Sequence, residues 1–202
     1  MVSFMVISLL HSNLATSQTN AMTEESSVKT IALGAGCFWC VEAVFEQLNG
    51  VLSAESGYMG GHIKNPAYRE VCTGRTGHAE VVKVTYDADT IDLSSLLEVF
   101  FATHDPTTLN RQGADVGTQY RSAVFYNSED ERKVAHSAIE KAQTKYTAKI
   151  VTEVSPVEPF YPAEDYHQAY YELNGEAPYC KAVIAPKMKK FRSEFEPLLK
   201  LN

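Results

Sequence analysis

A strand pattern runs into a helix pattern across a Gly-Ala-Gly turn near the start of the chain. Residues 28–33 are typical of a strand, which ends in Gly34-Ala35-Gly36. Residues 37–48 then repeat apolar side chains at the spacing of one buried helical face. These side chains belong to Cys37, Val41, Val44, Phe45 and Leu48. The junction predicts a strand–turn–helix unit with Cys37 at its turn.

Strand and helix patterns alternate along the rest of the chain. Further strands are predicted over 51–58, 80–86, 121–126 and 149–155. Capping boxes that begin at Ser95 and Ser128 predict two more helices, the second ending near Tyr146. A short helix over 163–173 and a last helix after Pro186 complete the pattern. With no internal repeat or interdomain linker, this order predicts an α/β or α+β layer structure around one sheet.

Composition and charge argue against several classes of protein. Lys and Arg total 18 and Asp and Glu total 25, so the net charge is −7. An acidic chain lacks the electrostatic footprint of a nucleic-acid-binding protein. No apolar run approaches the roughly 18 residues that span a bilayer, so we expect no membrane partner either. Four cysteines are too few for a disulfide scaffold but enough for a redox pair or a metal site.

Residues 1–27 differ from the rest and are kept out of the fold argument. A short apolar run is followed by a polar stretch, but no Lys or Arg precedes the run as a signal peptide requires. Met22 offers an alternative start. We expect a disordered leader or possible signal over 1–27 and a single catalytic domain over 28–202. The expected location is cytoplasmic, with export as the alternative if residues 1–21 act as a signal peptide.

Cys37 is the strongest candidate for a nucleophile. At the first turn of a helix, the helix dipole and unpaired backbone N–H groups favour thiolate over thiol. Phe38 and Trp39 follow directly, and Trp39 is the only tryptophan of the chain. Aromatic rings there would form an apolar wall suited to a methyl or thioether group. The simpler interpretation is that Cys37 is a buried, unreactive side chain.

Cys40 completes a C-x-x-C pair with Cys37, which opens two alternatives. One is a thioredoxin-like disulfide oxidoreductase, although the residues between the cysteines and the strand pattern differ from that class. The other is a zinc or thiol binding module, with a site completed by Cys72 and His78 or Cys180. The chain has no second C-x-x-C and no H-x-x-x-H to support zinc.

Glu80 lies at the mouth of a predicted strand. A partly buried carboxyl there would be held neutral and could donate a proton, although strand-end carboxylates are more often solvated. Glycine also frames two polar segments, 57–61 with Tyr58 and 113–122 with Asp115 and Tyr120. Such loops often carry function because a rigid strand positions them.

Together these segments resemble the A-type peptide methionine sulfoxide reductases over most of the chain, from about Lys29 to Phe195. The motifs that carry the resemblance are Gly36-Cys37-Phe38-Trp39, Gly57-Tyr58-Met59-Gly60-Gly61, Thr76-Gly77-His78-Ala79-Glu80 and Asp115-Val116-Gly117-Thr118-Gln119-Tyr120-Arg121-Ser122. We therefore expect an α+β, two-layer α/β fold with a ferredoxin-like mixed sheet, βαβ elements and a long irregular C-terminal segment. The resemblance implies a monomeric protein-repair enzyme of oxidative stress that uses no cofactor or metal.

The resemblance also implies the chemistry. The family reduces the S epimer of methionine sulfoxide, free or in proteins. Cys37 would attack the sulfoxide sulfur, and Glu80 would supply the proton that lets the oxygen leave the sulfur. Methionine would leave, and Cys37 would remain as a sulfenic acid. The substrate-binding residues that the resemblance implies are Phe38, Trp39, Tyr58, Asp115 and Tyr120.

A second thiol would then condense with the sulfenic acid to a disulfide that thioredoxin reduces. By resemblance, this catalytic partner is Cys180, in a predicted loop after Asn174-Gly175 that could swing inwards. Cys40 departs from family members that carry glycine there, and it is the alternative recycling thiol. A regular helix does not readily bring two sulfurs one turn apart into disulfide geometry. Cys72 is most simply a packing residue.

Overall fold

The computed structural model describes residues 1 and 27–201, so the predicted leader lies almost wholly outside the described residues. The strands are β1 (Val28–Ala35), β2 (Val51–Met59), β3 (Ala79–Asp87), β4 (Arg111–Gln112), β5 (Asp115–Val116), β6 (Ser122–Tyr126), β7 (Glu153–Pro156) and β8 (Tyr161–Pro162). The helices are α1 (Phe38–Phe45), α2 (Tyr68–Val71), α3 (Leu93–Ala102), α4 (Glu129–Gln143), α5 (Tyr170–Leu173) and α6 (Ala185–Glu194). Among the described helices, none has the length and apolar character to cross a membrane.

Six strands form one sheet in the order β7-β6-β1-β3-β2-β8. All neighbours are antiparallel except β6 and β7, which are parallel. The predicted mixed α+β architecture is therefore confirmed. Apart from the short α2, β4 and β5, the chain order up to β6 is β1-α1-β2-β3-α3-β6. The ferredoxin-like detail stays a prediction. Strands β4 and β5 form a separate hairpin.

The sheet buries apolar side chains on both faces. Ile31 and Leu33 of β1 belong to the main core, which also contains the apolar sides of α1, α3 and α6. Ala32, between them, belongs to a smaller cluster with Phe125, against which Phe160 packs. Successive strand residues point to opposite faces, so this alternation follows from the pleat. The helical layer on the main-core side carries α1 and hence the Cys37 junction.

The helix starts agree only partly with the sequence signals. The Ser128 hydroxyl accepts the Glu131 N–H at 3.2 Å and caps α4, as predicted. The predicted cap at Ser95 is wrong, because the carboxylate of Asp92 accepts the Ser95 N–H at 2.7 Å and α3 begins earlier. A charged acceptor at the N-cap also interacts favourably with the positive end of the helix dipole.

The C-terminal third is less regular than predicted. The helix expected over 163–173 is broken into a turn at Asp165–His167 and the short α5. Ala169 separates them because its φ of +49° is left-handed and cannot continue an α-helix. The loop expected around Cys180 is also wrong, since Cys180–Ile184 is a π-helical turn that leads into α6.

Candidate active site

Cys37 lies at the N-cap of α1, outside the helix that was predicted to include it. Its φ and ψ of −54° and 120° are not helical, and α1 begins at Phe38. Gly36 makes the turn with a φ of +87°, and a Cβ there would lie 2.6 Å from the Cβ of Gln112. Only glycine fits this close approach. An N-cap side chain faces the third helical position, which here is Cys40.

The side chains of Cys37 and Cys40 are buried, and the backbone N–H of Cys40 donates to the Cys37 carbonyl at 3.1 Å. Interaction with the Cys37 thiol lowers the pKa of Cys40 to about 7, and the charge of Lys187 acts in the same direction. Interaction with Cys40, together with burial, raises the pKa of Cys37. The sequence argument that the helix start favours the thiolate of Cys37 is therefore wrong for Cys37 itself, and the lowered pKa belongs to Cys40. The two thiols together lose one proton near neutral pH and share the proton that remains.

Glu80 lies near the start of β3, where it faces Tyr58 of β2 across the strand pair. Its residue surface is 2% exposed, and its Oε2 accepts the backbone N–H of Phe38 at 3.1 Å. Burial raises the pKa of Glu80 to about 8, and the charges of Asp115 and Cys40 add to the shift. A carboxyl with this pKa is protonated at pH 7, so it can act as an acid beside Cys37.

Asp115 is held by Tyr179, a residue whose role sequence reasoning missed. The Tyr179 hydroxyl donates to Asp115 Oδ2 at 2.9 Å, and it also acts to lower the pKa of the Cys37 thiol. Asp115 comes from β5, and Tyr120 comes from the turn Thr118–Tyr120 that follows. Burial raises the pKa of Tyr120, and the nearby charge of Glu80 raises it further. The segment beyond β5 and the C-terminal segment thus converge on Cys37.

Tyr58 is fully buried, and its hydroxyl donates to Glu164 Oε2 at 3.0 Å. Glu164 also accepts the backbone N–H of Tyr68 at 2.9 Å. Sequence reasoning did not single out Glu164, although it follows directly on the proline-rich stretch of residues 156–162. Because a phenol has one proton, Tyr58 must redirect it from Glu164 before it can donate to a bound ligand.

Aromatic rings line the side of the site next to Phe38 and Trp39. The Phe38 ring lies 5.1 Å from the ring of His167 and 5.9 Å from that of Tyr58. The Trp39 ring stacks on Tyr170 at 3.7 Å, and its indole N–H donates to His167 Nδ1 at 3.1 Å. His167 and Tyr170 were missed, and the density of aromatic residues between positions 160 and 171 was the available signal.

The cysteines and the histidine that were considered for a zinc site do not form one. All four cysteines are free thiols, and Cys180 is buried next to Tyr179 whereas Cys72 is exposed. His78 uses both ring nitrogens on the backbone, accepting from the Gly61 N–H at 3.1 Å and contacting the Ile63 carbonyl at 2.7 Å. It therefore holds a loop and has no free nitrogen for zinc. Across the described residues, no group of three or more His, Cys, Asp or Glu is placed to hold a metal ion.

Comparison with known proteins places this geometry in one family. The peptide methionine sulfoxide reductase family matches residues 29–198. A protein of Saccharolobus solfataricus named peptide methionine sulfoxide reductase MsrA is 50% identical over 175 residues, 87% of this chain and 99% of that protein. The protein of the same name from Chromobacterium violaceum is 55% identical over 169 residues, 83% of this chain and 96% of that one.

Solved structures show the same similarity in three dimensions. Mxr1 of Saccharomyces cerevisiae in its reduced form superposes with a TM-score of 0.71 at 37% identity, covering 76% of this chain and 89% of that one. A second structure, of Mxr1 in complex with Trx2, gives a TM-score of 0.50 at 29% identity, covering 71% and 84%.

Proposed function

The chain belongs to the peptide methionine sulfoxide reductase family, and we propose that the site around Cys37 and Glu80 performs its reaction. The protein is an oxidoreductase that reduces methionine sulfoxide to methionine at the expense of thiols. We assign it the S epimer, free or in proteins. One observation carries the assignment of roles: the protonated carboxyl of Glu80 is hydrogen-bonded to the N–H of the residue that follows Cys37.

In the proposed reduction step, the thiolate sulfur of Cys37 attacks the sulfoxide sulfur while Glu80 gives its proton to the oxygen. The attack forms a sulfur–sulfur bond. The hydroxyl then moves to the Cys37 sulfur as the sulfur–sulfur bond and the substrate's sulfur–oxygen bond break, so that methionine leaves as a thioether and Cys37 becomes a sulfenic acid. The negative charge passes from the thiolate to the Glu80 carboxylate. Cys37 and Cys40 together lose one proton near neutral pH. The proton that remains can shift to Cys40, which leaves Cys37 as the thiolate.

The side chains around Cys37 suit both the methyl group and the oxygen of a methyl sulfoxide. The rings of Phe38 and Trp39 form an apolar surface for the S-methyl group. Tyr58, Tyr120 and Asp115 lie on the polar side for the oxygen. Because a sulfoxide oxygen is a strong acceptor, we expect it to compete with Glu164 for the proton of Tyr58.

The geometry favours Cys40 as the resolving thiol, whereas sequence reasoning favoured Cys180. The objection to a Cys37–Cys40 link assumed that both residues are helical. Cys37 at the N-cap is not helical, and the backbone N–H of Cys40 donates to its carbonyl at 3.1 Å, so the two cysteines lie in one turn. Condensation of the sulfenic acid with the Cys40 thiol gives a disulfide and releases water. Cys180 is buried at the start of a π-helical turn and would have to leave it to take the same role.

Thioredoxin is the reductant that we assign to the disulfide. Its dithiol would attack one sulfur, form a mixed disulfide, and leave both enzyme cysteines reduced. The support is the complex of the similar protein Mxr1 with Trx2.

The proposal is tested by turnover of the separated R and S epimers of a methionine sulfoxide peptide with dithiothreitol. We expect reduction of the S epimer alone and none by Cys37→Ser, because a hydroxyl is a far poorer nucleophile at neutral pH. Cys72→Ser, which changes an exposed thiol, is the matched control and should keep wild-type activity. Substantial activity in Cys37→Ser, or equal use of both epimers, would refute the assignment.

We also propose that residues 28–202 form the working reductase domain, in the cytoplasm, where thioredoxin keeps thiols reduced. The family match over residues 29–198 supports the domain limits. A chain that starts at Met22 should have the same kcat/KM as the full chain, and cell fractionation should find the protein with cytoplasmic markers. Loss of activity without residues 1–21, or recovery from the exported fraction, would contradict this.

A further inference from the structure

Glu42 places a carboxyl between α1 and the C-terminal segment, with only 2% of the residue surface exposed. Its helix neighbours Val41 and Phe45 are buried and apolar. Burying a carboxyl is costly unless it is hydrogen-bonded. Glu42 Oε1 accepts the backbone N–H of Ala169 at 3.1 Å, and the backbone N–H of Tyr170 is close enough to act on the pKa of the same carboxyl. The reaction proposed above gives this buried carboxyl no part.

These contacts lie where the C-terminal segment changes direction, at Ala169. Ala169 has a left-handed φ of +49°, which is unfavourable for a residue with a Cβ, and it separates the turn Asp165–His167 from α5. The first N–H groups of a helix have no partner within the helix. Glu42 satisfies the N–H groups at the start of α5 and so fixes the direction in which α5 leaves the break.

The segment fixed in this way carries the rings that hold Trp39. Tyr170 stacks on the indole with an interplanar angle of 8°, and His167 accepts its N–H. Trp39 lies three positions before Glu42 on α1, so both residues contact the same segment. Gln168 anchors that segment to β2 through the backbone of Ser56 at 2.9 and 3.0 Å. Glu42 is the corresponding anchor to α1.

We propose that Glu42 is a positioning residue for sulfoxide reduction, which fixes residues 167–170 so that Trp39 stands as the wall for the substrate's S-methyl group. The inference rests on the function proposed for the Cys37 site. Glu42 itself does not touch the substrate and acts through Tyr170 and Trp39. Its loss should therefore weaken substrate binding much more than the chemical step.

The test compares Glu42→Leu, Glu42→Gln and the control Glu46→Leu. Leucine keeps the approximate size but removes the acceptor, whereas glutamine keeps an acceptor oxygen for the Ala169 N–H. Glu46 is the C-cap of α1, one turn beyond Glu42, and is partly buried near the charges of Glu172 and Lys200. Because Trp39 is the only tryptophan, its fluorescence reports the stack directly.

For Glu42→Leu we expect about a tenfold rise in KM for a methionine sulfoxide peptide, with kcat within about threefold of wild type and a shifted Trp39 emission. Glu42→Gln and Glu46→Leu should leave both KM and emission near wild type. A folded Glu42→Leu with wild-type KM and emission would overturn the proposal. So would a folded Glu42→Gln variant with a raised KM and a shifted emission, and this outcome can be measured even if the leucine variant does not fold.

A double-mutant cycle with Tyr170→Leu tests the route of the effect. If Glu42 acts through Tyr170, Glu42→Leu should raise KM much less in the Tyr170→Leu background than in the wild type. Additive effects would refute that route. The emission of Trp39 does not depend on turnover, so an inactive wild type would refute the proposed function while the emission series still tested the positioning.

Discussion

The carboxyl of Glu80 accepts the backbone N–H of Phe38 at 3.1 Å, across 42 positions of sequence. This bond joins the start of β3 to the first residue of α1, so the acid and Cys37 are held by adjacent backbone. It also satisfies one oxygen of a carboxyl that burial keeps protonated at neutral pH. Acid and nucleophile are therefore placed by the sheet itself.

Glu80→Gln should slow the reduction step about 10² to 10⁴-fold, because an amide keeps the shape but cannot deliver a proton. The measurement is methionine formed in a single turnover. Since burial raises the pKa of Glu80 to about 8, the acid is present at pH 7 and is lost as the pH rises through 8. The wild-type rate should fall above about pH 8, and this alkaline limb should vanish in the variant. A wild-type rate that stays level to pH 9.5 would exclude Glu80 as the acid.

The same substitution should make the protein more stable at alkaline pH. Because the pKa of Glu80 is raised from 4.5 to about 8 in the fold, its contribution is full below 4.5 and is lost as the pH rises through 8. In that window the wild type should lose about 1.4 kcal/mol of unfolding free energy per pH unit more than Glu80→Gln does. Glu42, whose pKa burial raises to about 7, acts equally on both proteins. Urea denaturation at pH 5.5, 7 and 8.5 measures this. Glu55→Gln, at an exposed carboxylate paired with Lys83 at 2.6 Å, is the control and should follow the wild type.

Recycling should depend on Cys40. With excess sulfoxide and no reductant, wild type should lose two thiols per methionine formed, one from the sulfenic acid and one from its partner. A peptide map should show a Cys37–Cys40 link. Cys40→Ser should still release about one methionine per enzyme in a burst but should fail with thioredoxin, because no disulfide forms for the reductant.

Cys180→Ser is the matched comparison for that experiment. It should turn over with thioredoxin nearly as well as the wild type. A Cys37–Cys180 link in the oxidised wild type, together with a thioredoxin-competent Cys40→Ser, would restore Cys180 to the resolving role that sequence reasoning gave it.

Tyr179→Phe should make the thiol pair less acidic. The Tyr179 hydroxyl acts to lower the pKa of the Cys37 thiol. Its removal should shift the pH profile of alkylation by iodoacetamide upward and slow the reaction at pH 7 by about threefold to tenfold. Tyr171→Phe, a partly buried tyrosine of α5, is the control. An unchanged alkylation profile in Tyr179→Phe would show that its contact with Asp115 serves packing alone.

The sequence determined the local features. Gly36 and Cys37 at the end of β1, the strands, and the Ser128 cap of α4 follow from neighbouring residues, because turns, caps and periodicity are local properties. The family motifs also indicated Glu80 as the acid and Tyr58 and Tyr120 as substrate-binding residues. The predicted start of α3 failed because Asp92 and not Ser95 took the N-cap, which depends on competition between nearby acceptors. Helix α1 begins one residue later than predicted because the backbone of Cys37 is not helical.

Only the tertiary structure decided the electrostatics and the walls of the site. The acidity of Glu80 depends on burial between β1 and β2 and on the charge of Asp115, which no local pattern encodes. The indole of Trp39 meets His167 across 128 positions of sequence. Whether Cys40 or Cys180 lies beside Cys37 likewise depends on an N-cap conformation and on how the C-terminal segment packs. Burial, and the pKa values that follow from it, arise only when distant segments exclude water together.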